Sequence, residues 1–153
     1  VDEDTKLTSG TYSISTAEEL AKLARMTNNY KIDTNCEFVL ANDIDLSAYS
    51  TGEGWTPIGI SNEFTATFDG NGYVISNLYI NTPSINCVGL FRWCNFAEIK
   101  NVGLENVDVT GDYEVGGLMG RGCDVTISNS YVTGSVSGTG NVGGLIGYGY
   151  FPY

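Results

Sequence analysis

A chain of 153 residues fits one domain and is long enough to bury a sizeable core without covalent staples. Its formal charge of −11, from 18 acidic and 7 basic side chains, repels phosphate backbones and anionic headgroups and so excludes nucleic acid and anionic membrane surfaces as partners. With no histidine, neither a Ser-His-Asp nor a Cys-His nucleophile can be assembled and no HExxH zinc motif exists.

Twenty glycines against 16% charged residues describe a β-rich protein with frequent tight turns. No apolar stretch approaches the roughly 20 residues that a membrane-spanning helix requires, so membrane insertion is not expected. Residues 1–13 open on Asp2, Glu3 and Asp4 and read as a solvated acidic leader.

Residues 14–37 carry the one helix signal and the entry to the strand-rich remainder of the chain. Thr16 can cap a helix over residues 17–27, and Glu19, three positions on, completes a capping-box pattern. Leu20, Leu23, Ala24 and Thr27 fall on one face at spacings of three and four, so this helix needs an apolar surface to lie on. The expectation is a cap that closes the open end of a sheet structure and buries Leu20, Leu23 and Ala24.

From residue 38 to 153 the pattern changes to short apolar alternations punctuated by Asn, Asp and Gly. Phe38-Val39-Leu40, Ile44-Asp45-Leu46, the 64–68 segment and Tyr73-Val74-Ile75 read as strands. Asp69-Gly70-Asn71-Gly72 supplies residues tolerant of positive φ and marks a reversal or corner.

The second half repeats itself. Val88-Gly89-Leu90-Phe91 returns as Val115-Gly116-Gly117-Leu118-Met119 and as Val142-Gly143-Gly144-Leu145-Ile146, with Leu90, Leu118 and Leu145 at intervals of 28 and 27 residues. A second motif, Ile75-Ser76-Asn77, Ile99-Lys100-Asn101 and Ile127-Ser128-Asn129, accompanies it, although Asn77 precedes Asn101 by 24 residues rather than 28.

Self-similarity at this period marks stacked repeats, and the richness in Gly, Val, Thr and Asn excludes helical units. A propeller blade needs about 40 to 45 residues. The expected fold is therefore all-β: a right-handed parallel β-helix with coils of about 24 to 28 residues and an N-terminal helical cap.

In such a fold Asn77, Asn101 and Asn129 would stack at one corner, each amide bonding the coils above and below. Gly117, Gly120, Gly144 and Gly147 would permit turns and close coil packing rather than cradle phosphate, since no lysine follows them in phosphate-loop order.

On these residues the chain resembles the GLUG repeat family, in Gly117-Leu118-Met119-Gly120 and Gly144-Leu145-Ile146-Gly147. The first copy, Gly89-Leu90-Phe91-Arg92, lacks the final glycine, which points to a transitional coil. Upstream, Asn42-Asp43-Ile44-Asp45-Leu46, Trp55-Thr56-Pro57-Ile58-Gly59 and Phe68-Asp69-Gly70-Asn71-Gly72 look like the segment that precedes such repeats.

The resemblance implies a large secreted or surface-attached bacterial protein, adhesin-like or the N-terminal region of an IgA-cleaving metallopeptidase, with coils continuing past Tyr153. It transfers no catalytic residue. The expected partner is a host or cell-surface glycan or protein, and an uncapped last coil, with the aromatic stretch of residues 147–153 over it, would give weak end-to-end self-association. No cofactor is implied.

Three further chemistries can be weighed. Asp43 and Asp45 could serve a glycan-acting enzyme, but turn satisfaction explains them as well. Asp108, Asp112 and Glu114 around Gly111 offer oxygens for calcium, yet their spacing matches neither an EF-hand nor the nine-residue calcium repeat. Trp55, Trp93 and ten tyrosines could stack on sugars or fill the core, and sequence does not assign their faces.

Cys36, Cys87, Cys94 and Cys123 lack CxxC spacing and are expected as thiols. Aligning the Leu90 and Leu118 repeats without a gap sets Cys94 opposite Gly122 and Cys123 opposite Asn95, one residue out of register for a disulfide.

Overall fold

A computed structural model describes residues 2–150. The first ordered element is strand β1 (Leu7–Ile14), followed by helix α1 (Ala17–Asn28) and strands β2 (Ile32–Leu40) and β3 (Ile44–Asp45). Next come β4 (Thr67–Asp69), β5 (Val74–Ser76), β6 (Tyr79–Asn81), β7 (Phe91–Asn95), β8 (Glu98–Lys100) and β9 (Gly103–Thr110). The chain continues through β10 (Tyr113–Gly116), β11 (Met119–Cys123), β12 (Thr126–Ser128), β13 (Tyr131–Ser137), β14 (Gly140–Gly143) and β15 (Ile146–Tyr150). With 51% of residues in strands, the protein is mostly β.

Every pair of named strands is parallel. They form four sheets, in the orders β1-β2-β4-β8-β12, β13-β9-β5-β3 with β6 also beside β9, β15-β11-β7, and β10-β14. Consecutive strands of the chain pass from sheet to sheet, and each returns to its sheet about one repeat later. Intervals of 28 residues hold in the second half, as between Asn101 and Asn129, but reach 31 earlier, as between Asp43 and Val74. The first half therefore departs from the expected 24 to 28.

The register is the one that ungapped alignment gives. Ile99 pairs with Ile127, Phe91 with Met119 and Met119 with Ile146. Cys94 lies opposite Gly122 and Cys123 opposite Asn95. All four cysteines are free thiols. Inward side chains stack in columns, with Phe68, Ile75, Phe91, Ile99, Leu104 and Met119 fully buried in one continuous apolar core.

Helix α1 begins as its sequence dictates. The Thr16 hydroxyl accepts from the Glu19 N–H at 3.1 Å, and the Glu19 carboxylate accepts in return from the Ser15 N–H at 3.0 Å. Leu20, Leu23 and Ala24 are buried and join the same core as the strands. A cleft of about 290 Å³ lined by Leu7, Tyr12, Ile14, Leu23, Met26 and Phe38 lies between α1 and the first two strands.

Residues 7–14, expected within a solvated leader, instead form β1 and pair with β2 from Leu7–Ile32 to Ile14–Leu40. Only Leu7 and Ile14 of this strand are buried, so its apolar period is too sparse to announce it.

The Asp69 to Gly72 stretch is a corner, carrying the chain from β4 in one sheet to β5 in the next. Asn71 sits at φ 55° and Gly72 at φ 82°, and the Asp69 carboxylate accepts from the Asn71 N–H at 2.7 Å.

Candidate functional site

The asparagines build two corner ladders rather than one. At the first, Asn129 donates from Nδ2 to Oδ1 of Asn101 at 3.4 Å, and Asn101 donates to Oδ1 of Asp69 at 3.0 Å. At the second, Asn106 donates to Oδ1 of Asn77 at 2.7 Å, and Asn77 donates to Oδ1 of Asp45 at 2.9 Å.

Asn77 therefore does not stack with Asn101, because Ile75 pairs with Leu104 and not with Ile99. Each of these four asparagines has φ between 48° and 63°, a left-handed conformation in which Asn is several-fold enriched. Asn106, which repeat-matching passes over, carries a signal in the apolar residue that follows it, as Leu78 follows Asn77 and Val102 follows Asn101.

The repeat leucines stack along the chain: the Leu90 N–H donates to the Gly117 carbonyl at 3.1 Å and the Leu118 N–H to the Leu145 carbonyl at 3.0 Å. Leu90 and Leu118 are buried, whereas Leu145 is only partly so.

None of Gly117, Gly120, Gly144 or Gly147 has positive φ, so turn geometry is not what requires them. Close approach does at three of the four. A β-carbon on Gly120 would lie 2.5 Å from the Cys87 carbonyl carbon, on Gly147 2.4 Å from that of Glu114, and on Gly117 2.6 Å from the Gly144 oxygen. Gly144 faces open space, with nothing within 4 Å.

The missing glycine of the first copy has a local reason. Arg92 stands where Gly120 stands one repeat later, beside a cavity of about 290 Å³ bordered by Trp55, Pro57, Thr82 and Cys87. Its guanidinium donates to the Ile60 carbonyl at 3.0 Å.

On the outward face of the β7-β11-β15 sheet, Arg121 lies in register between Trp93 and Tyr148. Its guanidinium carbon is 5.3 Å from the Trp93 ring centre and 5.2 Å from that of Tyr148, a doubly stacked cation. Glu114, 3.3 Å away, pairs with it and also accepts from the Cys87 thiol at 3.0 Å. Burial, reinforced by this carboxylate, pushes the Cys87 thiol up to about 11. Trp55, by contrast, is buried, stands edge-on to Tyr49 and directs its indole N–H at the Leu90 carbonyl at 3.4 Å.

The carboxylates weighed for catalysis are taken up locally. Asp43 accepts from the Val74 N–H at 2.9 Å, and Asp45 accepts from the Ser47 N–H and the Asn77 amide, each at 2.9 Å. The Asn77 amide is the main cause that holds the Asp45 carboxyl below its usual range. Of the acids weighed for calcium, Glu114 is paired with Arg121, and Asp112 accepts from the Thr139 hydroxyl. Among the described residues no group of three or more His, Cys, Asp or Glu converges as a metal site would require.

No helix among the described residues is long and apolar enough to cross a membrane. No family model matches the chain, and no solved structure matches it. It is similar to halomucin of Haloquadratum walsbyi, 37% identical over 140 residues, which is 85% of this chain and 2% of that protein. It is also similar to a protein of Evansella cellulosilytica named as a Gly-rich membrane protein, 38% identical over 105 residues, 67% of this chain and 11% of that one. The chain thus spans a small fraction of the length of either relative, and the class to which they point is that of surface or membrane-associated proteins.

Proposed function

We propose that this chain is a non-catalytic module of a secreted or cell-surface protein, its sheets the faces of a right-handed parallel β-helix and its exterior an adhesive face or stalk. The observation that carries the reading is the common register: parallel partners recur at nearly constant sequence distance in all four sheets, and inward and corner side chains stack in columns. A β-helix is the arrangement in which successive coils lie one strand spacing, about 4.8 Å, apart. In this reading α1 is the cap of the first coil, and the close-packed glycines are those of GLUG-type repeats.

A rigid rod that carries hydrogen-bonded ladders and stacked side chains on its surface suits spacing and adhesion. A glycan-acting enzyme would need two converging carboxylates, and Asp43 and Asp45 serve backbone and corner instead. The similarity to halomucin and to a Gly-rich membrane protein supports a surface location.

The strands at one edge of each sheet, β12, β13, β14 and β15, have interior residues Ile127, Val132, Val136, Leu145 and Ile146 that are only partly buried. Their counterparts Ile99, Leu104, Val109, Leu118 and Met119 are at most 1% exposed. Such an edge accepts a further coil or a second copy end to end, and weak association is the expected behaviour. The aromatic stretch expected to cover it runs into residues 151–153, which lie outside the described residues.

Antibodies raised against the chain should label intact producing cells. Labelling confined to permeabilised cells would overturn the surface reading.

A further inference from the structure

Trp93 has one face to spare. Arg121 covers it from the β11 side, and residues 59–63 run along the other side of β7. Bridges between Ile58 and Phe91 and between Phe64 and Cys94 pin both ends of that segment. Five residues therefore span what Arg92 and Trp93 span in β7. The surplus cannot go inward, where Ile58 and Phe64 are fully buried, so it projects as a loop beside the indole. Between loop and indole is a cavity of about 360 Å³ lined by Gly59, Ile60, Ser61, Asn62, Glu63 and Trp93.

The loop is held firmly. Asn28 accepts through Oδ1 from the N–H groups of Gly59 and Ile60 at 2.9 and 2.8 Å, and its carbonyl accepts from the Ser61 hydroxyl at 2.7 Å. Tyr30 donates to the Ser61 carbonyl at 2.9 Å, and Asn62 donates to the Thr27 carbonyl at 3.3 Å. A wall fixed in this way needs little further ordering when a ligand arrives. Glu63 differs from its neighbours: half-buried, it makes no hydrogen bond or ion pair among the described residues.

We propose that this pocket binds one pyranose ring of a neutral glycan, with the ring's C–H face on Trp93 and two adjacent hydroxyls donating to the Glu63 carboxylate. The proposal rests on the adhesive-face reading and names its ligand class. An aromatic plane beside a few fixed polar groups is what an amphipathic ring requires. A lone carboxylate accepts two neighbouring O–H donors, and with the chain's charge of −11 it disfavours acidic sugars and phosphates. Arg121 offers an anion little, since its guanidinium is already stacked on both faces and paired with Glu114.

Titration of the intact chain with neutral gluco-, galacto- and manno-oligosaccharides, followed by tryptophan fluorescence and by calorimetry, tests this. Saturable binding to one of the three series with Kd on the order of 1 mM is expected for a one-ring site. Trp93→Ala should abolish it. Glu63→Gln, which keeps the shape and cannot disturb the core, should weaken it about threefold to tenfold.

Undiminished binding by both folded variants would overturn the pocket while leaving the adhesive face standing. Absence of saturable binding by the native chain to all three series would also overturn it. In that event, retention of chain-coated beads on cells decides separately whether the adhesive reading survives.

Discussion

Asn101 and Asn129, one repeat apart, are joined by a hydrogen bond from Nδ2 of Asn129 to Oδ1 of Asn101, and both occupy the left-handed region at φ 57° and 48°. The position thus asks two things of its residue: tolerance of positive φ and an amide that links neighbouring strands. Two substitutions separate them. Asn101→Gly keeps the backbone at ease but loses the bonds to Asn129 and Asp69, at a cost of about 1 kcal/mol. Asn101→Leu loses the same bonds and adds left-handed strain of roughly 1–2 kcal/mol. Urea unfolding should rank the native chain above Gly and Gly above Leu, and equal midpoints for the two variants would show that left-handed strain plays no part.

Helix α1 makes opposite predictions at two of its buried positions. Leu20 is fully buried, and Leu20→Asp should destabilise by at least the 2–5 kcal/mol that loss of such a side chain typically costs, with aggregation of the exposed strand edges. Thr27 is 1% exposed and its hydroxyl has no hydrogen-bond partner. Thr27→Val keeps the shape and removes the stranded group, so a gain of about 1 kcal/mol is expected. Thermal melts of both variants check the pair; a Thr27→Val variant less stable than the native chain would mean that the hydroxyl is satisfied after all.

Repeat register was legible because the copies around Leu90, Leu118 and Leu145 are nearly equal in length, so an ungapped alignment is also a spatial one, down to Cys94 opposite Gly122. Asn77 misled for a physical reason. The triplet of Ile, a polar residue and Asn encodes a strand ending in a left-handed corner, and the fold has more than one such corner. Local sequence thus specifies the turn, while strand pairing, Ile75 with Leu104, decides which column the asparagine joins.

The face of Trp93 was hidden for a related reason. In strands of three to five residues next to corners, alternation breaks, so that both Met119 and Gly122 point inward while Arg121 between them points out. The role of the 59–63 loop depends on a surplus of length against β7, which no single-sequence pattern displays.

The motif glycines give an internal control, since two residues at the same motif position meet different surroundings. Gly117→Ala would set its methyl 2.6 Å from the Gly144 oxygen and 2.6 Å from a Val132 methyl, and Gly120→Ala would meet Cys87 and Val88 backbone at 2.5 Å. Backbone cannot yield as a side-chain tip can, so losses of roughly 1–3 kcal/mol are expected at both. Gly144→Ala meets nothing, and its φ is not positive. Reduced freedom of the unfolded chain should then make it neutral or stabilising by about 0.4–1 kcal/mol. Denaturation midpoints that fall alike for Gly117→Ala and Gly144→Ala would show that the motif glycines are required for something other than close approach.

The thiols set a last expectation, which concerns pH. Cys36, Cys87 and Cys94 are buried and Cys123 is partly exposed, so iodoacetamide at pH 8 should label Cys123 first and the others only on unfolding. Burial foremost, then the hydrogen bond to Glu114, raises the Cys87 thiol from an unfolded value of about 8.5 to about 11 in the folded chain. Because the folded value is the higher one, the unfolded chain releases its proton first as pH rises. The stabilising contribution is therefore complete below about pH 8.5 and is lost as pH climbs to about 11.

Cys94, pushed up by complete burial, and Cys36, raised by the same cause, act in the same direction, so the measurement must be a difference. Stability of the native chain and of Cys87→Ala, followed by urea titration from pH 7 to 11, should diverge at neutral pH and converge with rising pH by an amount on the order of 2 kcal/mol. Parallel curves would mean that the Cys87 thiol ionises as readily folded as unfolded, and that its contact with Glu114 does not persist in solution.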